Sequence, residues 1–176
     1  MLSRLTRSRP LRGSANDLGR GRLCPNTILT LQVAGGRPWD AVAETPPKSG
    51  VGFAEPPTGQ FPVVTLIFVL NVLPTAEARL EVLRRAVARL APDGVLIVAT
   101  RSSSAVRNEP ARRGWRASGD GFVSHEGCGT FQYGMDIEEL VGLGEMLGLR
   151  PQGPLPTVRH ASLVALTRRP ATAPNG

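Results

Sequence analysis

VVTLIFVLNVLPTAEARLEVLRRAVARLAPDGVLIVAT, residues 63–100, decides the fold. Val63 to Leu70 is a nearly continuous apolar run rich in β-branched residues, the pattern of a strand buried on both faces. Pro74 and Thr75 mark a helix start, with the Thr75 hydroxyl placed to accept from free backbone N–H groups. Leu80, Leu83, Val87 and Leu90 fall on one helical stripe, and Glu77, Arg79, Glu81, Arg84, Arg85 and Arg89 fill the other faces. Glu81 and Arg85 stand one turn apart and can pair. Pro92-Asp93-Gly94 is expected to stop the helix and turn the chain into a second buried strand, Val95 to Thr100. Strand, amphipathic helix and strand make a right-handed βαβ unit. Open α/β sheets bind ligands at the carboxyl ends of their strands. Here those ends are Leu70-Asn71-Val72 and Thr100-Arg101-Ser102.

Working upstream, Asp17 to Leu23 reads DLGRGRL. A Gly-x-Gly turn after a strand lets backbone approach a ligand, because glycine has no side chain and tolerates positive φ. The strand before it, within Gly13 to Asn16, is short and barely apolar. A helix is expected from Asn26 to about Ala34, its N-terminal N–H groups facing the ligand. Trp39 to Ala43 reads as a short strand closed by Glu44, 25 residues past Gly19. A carboxylate at the end of a second strand can accept both hydroxyl hydrogens of a ribose. Asp40 competes with Glu44 for that role, and both also read as solvated surface acids. Thr45 to Pro62 carries five prolines, which exclude a long helix or central strand.

Downstream, Arg101 to Gly134 is a long polar stretch that holds Trp115, Phe122, Phe131 and Tyr133, half of the chain's aromatic residues. A disordered linker is poor in aromatics, so an ordered lid or short hairpin over the carboxyl edge is expected. Asp120, His125 and Glu126 are its ionisable groups. Asp136 and Glu139 have the spacing of a capping box ahead of a helix that runs to about Leu147 and stops at Gly148. Ser162 to Thr167 is a last strand.

The 176 residues suit one domain with a real core. Residues 17–169 form the expected domain, after a basic N-terminus (1–16) and before a flexible tail (170–176). The first sixteen residues carry Arg4, Arg7, Arg9 and Arg12, three serines and no acid. That composition fits a disordered start, a start codon assigned too early, or a transit peptide. No apolar run reaches about 18 residues, so no membrane span is expected, and a cytoplasmic location follows as an expectation. The formal net charge of +7 leaves a nucleic-acid partner open. Cys24 and Cys128 lack metal-ligand spacing, so no metal is expected. Oligomeric state is not readable.

In this order the elements resemble a class I S-adenosylmethionine-dependent methyltransferase, over roughly Asp17 to Thr167. Asp17-x-Gly19-x-Gly21 is similar to the family's first motif, and Glu44 matches its ribose-binding acid. Phe61 to Leu73 resembles the fourth strand, and Leu90-Ala91-Pro92-Asp93-Gly94 with VLIVAT resembles the fifth. The VLNVL run and the GTFQ segment also resemble a methyltransferase group associated with DNA phosphorothioation. The resemblance implies an α/β, Rossmann-like sheet, mostly parallel with an antiparallel last strand, and reduced, because the Pro-rich loop takes the place of the third strand. It implies S-adenosylmethionine as cofactor, bound by Asp17, Gly19, Gly21, Glu44 and Asn71. Asn71 would face substrate or cofactor, and His125 would be the catalytic base, with His160 structural. Leu23 replaces the motif's third glycine and Pro62 stands where Asp is usual, which favours a rival reading as a degenerate binding or partner subunit. A nicotinamide oxidoreductase needs a glycine where Cys24 stands. A basic nucleic-acid-binding module is the third rival.

Overall fold

A computed structural model describes residues 15–18, 37–39, 58–125 and 130–169. Its centre is β3 (Phe61–Ile67), α1 (Ala76–Ala88) and β4 (Leu90–Arg101), the expected βαβ unit. Thr75 caps α1, its hydroxyl accepting from the Ala78 N–H at 3.2 Å. Leu83, Ala86 and Val87 bury the inner face of the helix.

Three details depart from the sequence reading. The helix stops at Ala88, and Leu90 already pairs with Phe61 as the first residue of β4. Pro92-Asp93-Gly94 is then not a separate turn but part of a bulge, across which the register jumps to Val63 opposite Val95. Gly94 is needed there: an added Cβ would lie 3.0 Å from the Phe61 carbonyl oxygen and 2.7 Å from Leu90 Cδ1. Arg79, expected on a solvated face, is buried at 3% exposure. And β3 ends at Ile67, because Phe68 turns to φ +58, after which Leu70–Val72 forms a single 3-10 turn.

The main sheet has the order β2-β1-β3-β4-β9-β8. β1 (Ala15–Leu18) runs parallel to both β2 (Arg37–Trp39) and β3, so Asp17 lies inside a strand rather than after it. Glycines 19 and 21, the helix expected at 26–34, Asp40, Glu44 and the Pro-rich stretch to residue 57 lie outside the described residues. β3 and β4 are parallel, and β9 (Ala161–Arg168) runs antiparallel between β4 and the short β8 (Leu149–Pro151), which the sequence reading missed. Beyond β4, the described part of the long polar stretch is ordered. It forms two short helices, α2 (Ser103–Arg107) and α3 (Glu109–Arg113), and then a separate antiparallel sheet of β5 (Arg116–Ser118), β6 (Gly121–His125) and β7 (Thr130–Gln132).

Helix α4 (Ile137–Met146) follows, with Gly148 at φ +75 ending its last turn. Its start is not a capping box. The Asp136 carboxylate instead accepts from the Ser103 N–H at the head of α2, and Glu139 accepts from the Tyr133 hydroxyl. α1 and α4 share one core on one face of the sheet, around Leu66, Leu83, Leu96, Leu140 and Leu166. A smaller apolar cluster of Val63, Ile97, Ala99 and Leu163 lies on the other face.

Gly144 touches that core: a Cβ there would stand 2.7 Å from Leu166 Cδ1, whereas one at Gly142 meets nothing within 4 Å. Gly144→Ala should therefore cost about 1–2 kcal/mol through overpacking. Gly142→Ala, two residues away in the same helix, should gain about 0.5–1 kcal/mol from helix propensity. Urea unfolding of the two variants beside the wild type checks the opposite signs.

Candidate functional site

The topology selects one edge. The chain leaves β1 towards β2 on one side and later enters β3 on the other. The carboxyl ends of β1 and β3 thus flank the switch point at which such sheets hold ligands. β1 ends at Leu18, directly before Gly19, and β3 ends at Ile67, directly before Phe68. Because β9 is antiparallel, its amino end reaches the same edge.

A cleft of about 500 Å³ lies there. Its walls are Phe68, Asn71 and Val72 after β3, Arg101 at the end of β4, Gln132 at the end of β7, and Val158 to Ala161 before β9. Two non-glycine residues in the left-handed region, Phe68 (φ +58) and His160 (φ +61), both belong to this wall. A bulky side chain in that region is strained, and such strain collects at functional sites. Main-chain bonds to β4 and its exit hold both turns. The Phe68 N–H donates to the Ala99 carbonyl at 2.7 Å, and the Ser102 N–H donates to the His160 carbonyl at 3.2 Å.

Asn71 is the most buried polar side chain of the wall, at 2% exposure, and its Oδ1 has no hydrogen-bond partner. Gln132 Oε1 is likewise buried and unpartnered. An unsatisfied buried amide oxygen costs about 1–3 kcal/mol, so two at one cleft point to a ligand hydrogen-bond donor. The backbone under Asn71 is fixed by a strap, Tyr133 to Met135. The Tyr133 N–H donates to the Asn71 carbonyl at 2.7 Å, and the Met135 N–H donates to the Arg101 carbonyl at 2.9 Å. Gly134 sits so close to α2 that a Cβ would fall 2.6 Å from Ser103 Cα.

The strap is held in turn by Arg79. Its Nη1 donates to the Leu73 carbonyl at 2.9 Å, its Nη2 pairs with the Asp120 carboxylate at the β5–β6 turn, and its guanidinium stacks 4.0 Å from the Tyr133 ring centre. One buried cation thus joins α1, the 3-10 turn exit, the small sheet and the strap. Tyr133 donates its hydroxyl to Glu139 Oε1 at 3.1 Å. Burial raises the Glu139 carboxyl above its ordinary range, the Tyr133 hydroxyl and Arg79 pulling the other way. Burial, then the Glu139 charge and hydrogen bond, raise the Tyr133 phenol above its usual 10.0.

The cleft carries positive charge. Among the described residues Arg101, Arg159 and His160 line it, and no acid does. Glu109 lies 3.7 Å from Arg101 but also 2.5 Å from Arg113 and 3.9 Å from Arg112, so one carboxylate faces three guanidinium groups. A second depression, at the opposite edge, includes Arg150, Arg168 and Arg169. There Arg168 already donates to the Val87 and Leu90 carbonyls, and Arg169 lies 3.9 Å from Glu145.

Of the residues expected from sequence, Asp17 in β1 and Asn71 come to the same sheet edge. Glycines 19 and 21 and Glu44 lie outside the described residues. His125 ends β6, its side chain outside the described part, while the histidine on the cleft wall is His160, exposed and not packed as a structural residue. Sequence reasoning missed Gln132 and Arg159, and placed Arg101 at a ligand-binding strand end without giving it a role. The antiparallel last strand was the available signal: its amino end, and so Arg159-His160, must return to the carboxyl edge of β3 and β4. Among the described residues no three His, Cys, Asp or Glu converge as metal ligands, and no helix there is long and apolar enough to cross a membrane.

No family model and no curated protein matches the sequence. Solved structures do match. The 1,6-didemethyltoxoflavin-N1-methyltransferase of Burkholderia thailandensis, bound to 1,6-didemethyltoxoflavin and S-adenosylhomocysteine, is 17% identical with a TM-score of 0.66, over 94% of this chain and 75% of its own. An S-adenosylmethionine-dependent methyltransferase of Bacteroides fragilis, bound to S-adenosylhomocysteine, is 18% identical with a TM-score of 0.59, over 96% and 77%. An O-methyltransferase of neocarzinostatin biosynthesis, solved with S-adenosylmethionine and 2-hydroxy-5-methyl naphthoic acid, is 18% identical with a TM-score of 0.59, over 88% and 48%. The fold is that of S-adenosylmethionine-dependent methyltransferases. This chain spans about half the length of the last of these.

Two outcomes follow from the Arg79 junction. Arg79→Met should destabilise the protein by about 2 kcal/mol, since it leaves the Leu73 carbonyl and Asp120 without their donor, and should speed amide hydrogen exchange across Arg116 to Ser124 more than in the β3–β4 ladder. Glu139→Gln keeps an acceptor for Tyr133 while removing the titration. The raised carboxyl of Glu139 contributes stability that is complete below its ordinary value of 4.5 and is lost as pH rises through the raised value. Relative to Glu139→Gln, the wild type should therefore lose stability between pH 4 and pH 7, read from urea midpoints. A difference moving in the opposite sense would mean that Arg79, not burial, governs this carboxyl.

Proposed function

We propose that the protein transfers a methyl group from S-adenosylmethionine to a small-molecule acceptor. The observation that carries the reading is the buried, unpartnered Asn71 oxygen beside the switch point of a methyltransferase-type sheet. Three features support the cofactor assignment. Gly19 directly follows β1 at the switch point, Glu44 has the sequence spacing of a ribose-binding acid, and neighbours of this fold are bound to the cofactor or its demethylated product. We further propose the sheet as a reduced one, in which the Pro-rich stretch replaces a third strand. Among the described residues β2 is the last strand on that side.

S-adenosylmethionine, when bound, supplies a methyl carbon activated by its sulfonium. The residues of this chain then have to place the acceptor in line with that carbon, and orientation of this kind supplies much of the rate. Asp17, Gly19, Gly21 and Glu44 are proposed on the cofactor side. Asn71 Oδ1 accepts a hydrogen bond from the acceptor's O–H or N–H and so turns a lone pair towards the methyl. The cofactor, held on the side of Asp17, Gly19, Gly21 and Glu44, would supply the methyl group and leave as the neutral thioether. The acceptor's proton leaves to a base. His125, proposed from its place in the aromatic segment, and His160, on the cleft wall, are the chain's two histidines.

The bound aromatic acceptors of two neighbours favour a small molecule over a polymer as substrate. The narrower likeness to the group associated with DNA phosphorothioation rests on VLNVL and GTFQ, residues 69–73 and 129–132. Both runs contribute to the cleft, through Asn71, Val72 and Gln132.

Calorimetric titration with S-adenosylmethionine should give saturable 1:1 binding, weakened on the order of tenfold by Glu44→Ala, a loss of about 1.4 kcal/mol. No binding at millimolar cofactor would leave a methyltransferase fold serving as a binding or partner subunit.

A further inference from the structure

We infer that the cleft between Asn71 and Arg159 takes a compact, planar acceptor that carries one anionic group and one O–H or N–H hydrogen. The inference rests on the methyl-transfer reading and names the class of acceptor within it. Charge is the first observation. Among the described residues, two arginines and a histidine line the cleft and no acid does. Arg101 shares Glu109 with two other arginines, so its charge is only partly offset. Its guanidinium stands 5.4 Å from the Trp115 ring centre, which holds the fork without neutralising it. A guanidinium fork matches the planar oxygens of a carboxylate or phosphate.

The second observation is the pair of orphaned acceptors. Asn71 Oδ1 and Gln132 Oε1 are buried on the same wall, without partners. They call for a donor on the ligand, which a wholly deprotonated acid lacks. Shape is the third. Phe68 and Val72 are each 40% exposed and line the same cleft, giving an apolar surface for a flat ring. The volume of about 500 Å³ lies within the roughly 300–1,000 Å³ of small-molecule sites.

The probe is 3-hydroxybenzoate, which has ring, carboxylate and phenolic hydrogen. Two relatives each lose one feature: 3-hydroxybenzamide lacks the charge and 3-methoxybenzoate lacks the donor. Binding to the full chain is read by tryptophan fluorescence and calorimetry, with S-adenosylhomocysteine present and absent. The acid should bind 1:1, at least about tenfold tighter than either relative, and its affinity should fall as salt rises. Arg159→Gln, at an exposed position, should weaken the acid several-fold and leave the amide unchanged. Asn71→Leu should erase the preference over 3-methoxybenzoate. Equal affinity for acid and amide, or no acid binding at about 10 mM, overturns the inference. So does tight binding of duplex DNA that Arg159→Gln abolishes while the acid fails to bind. The two readings fail separately. Acid binding with no S-adenosylhomocysteine binding sinks methyl transfer and keeps the anion cleft, and the reverse result sinks the anion cleft alone.

Discussion

β4 is paired on both sides, parallel to β3 through six residue pairs and antiparallel to β9 through seven. That double pairing is the constraint on which everything else depends. Parallel pairing with β3 requires a crossover, and α1 supplies it. Antiparallel pairing with β9 brings the amino end of the last strand to the carboxyl ends of the other two. A long polar segment can then pack over that edge, on strands that are largely buried on both faces. The side chains at the junction are apolar: Val95, Leu96, Ile97, Val98 and Ala99 on β4 against Leu163, Val164, Ala165 and Leu166 on β9.

Above that floor, order comes from polar contacts more than from apolar burial. The three-stranded sheet has few core residues of its own; Phe131 is its buried apolar side chain. What docks it is Arg79. Burying a guanidinium is costly unless its N–H groups are all used. Here a backbone carbonyl takes one N–H from Nη1, a carboxylate takes one from Nη2, and an aromatic face lies against the group. The same contacts set where Tyr133 lies, and Tyr133 sets the backbone of Asn71. The polar residue at the centre of the cleft is therefore positioned from the far side of the segment that carries it.

Much of this was legible in the sequence, and the reasons differ by element. The βαβ unit was readable because strands buried on both faces leave unbroken apolar runs, and α1 has an undisguised stripe and cap. Asn71 was readable from topology alone, as the polar residue after a buried strand. The bulge at Gly94 was not, because Pro-Asp-Gly is an ordinary turn signal and only pairing across the sheet shows that the strand begins before it. Arg79 was invisible for a related reason. Helical periodicity places it on the flank of the stripe, and its burial depends on Asp120, 41 residues away. The capping box misled because Asp136 and Glu139 have better partners in α2 and the strap than in their own helix. The small sheet was legible only as an ordered lid or short hairpin, since its strands are three to five residues long and mostly polar.

Among the described residues β8 is the edge of the main sheet, with a consequence of its own. An uncovered strand offers unpaired backbone groups to any other strand that approaches, and this is how folded chains come to stack into fibres. β8 is only three residues long, two of them exposed, and those are Arg150 and Pro151. The proline has no N–H to give, and the arginine brings a charge that would meet its own copy in a like-to-like stack. A sheet with these terminal residues can accept the chain's own β9 on one side and resists extension on the other. The protein can thus carry a strongly apolar central ladder at high concentration without that ladder growing from molecule to molecule across this edge.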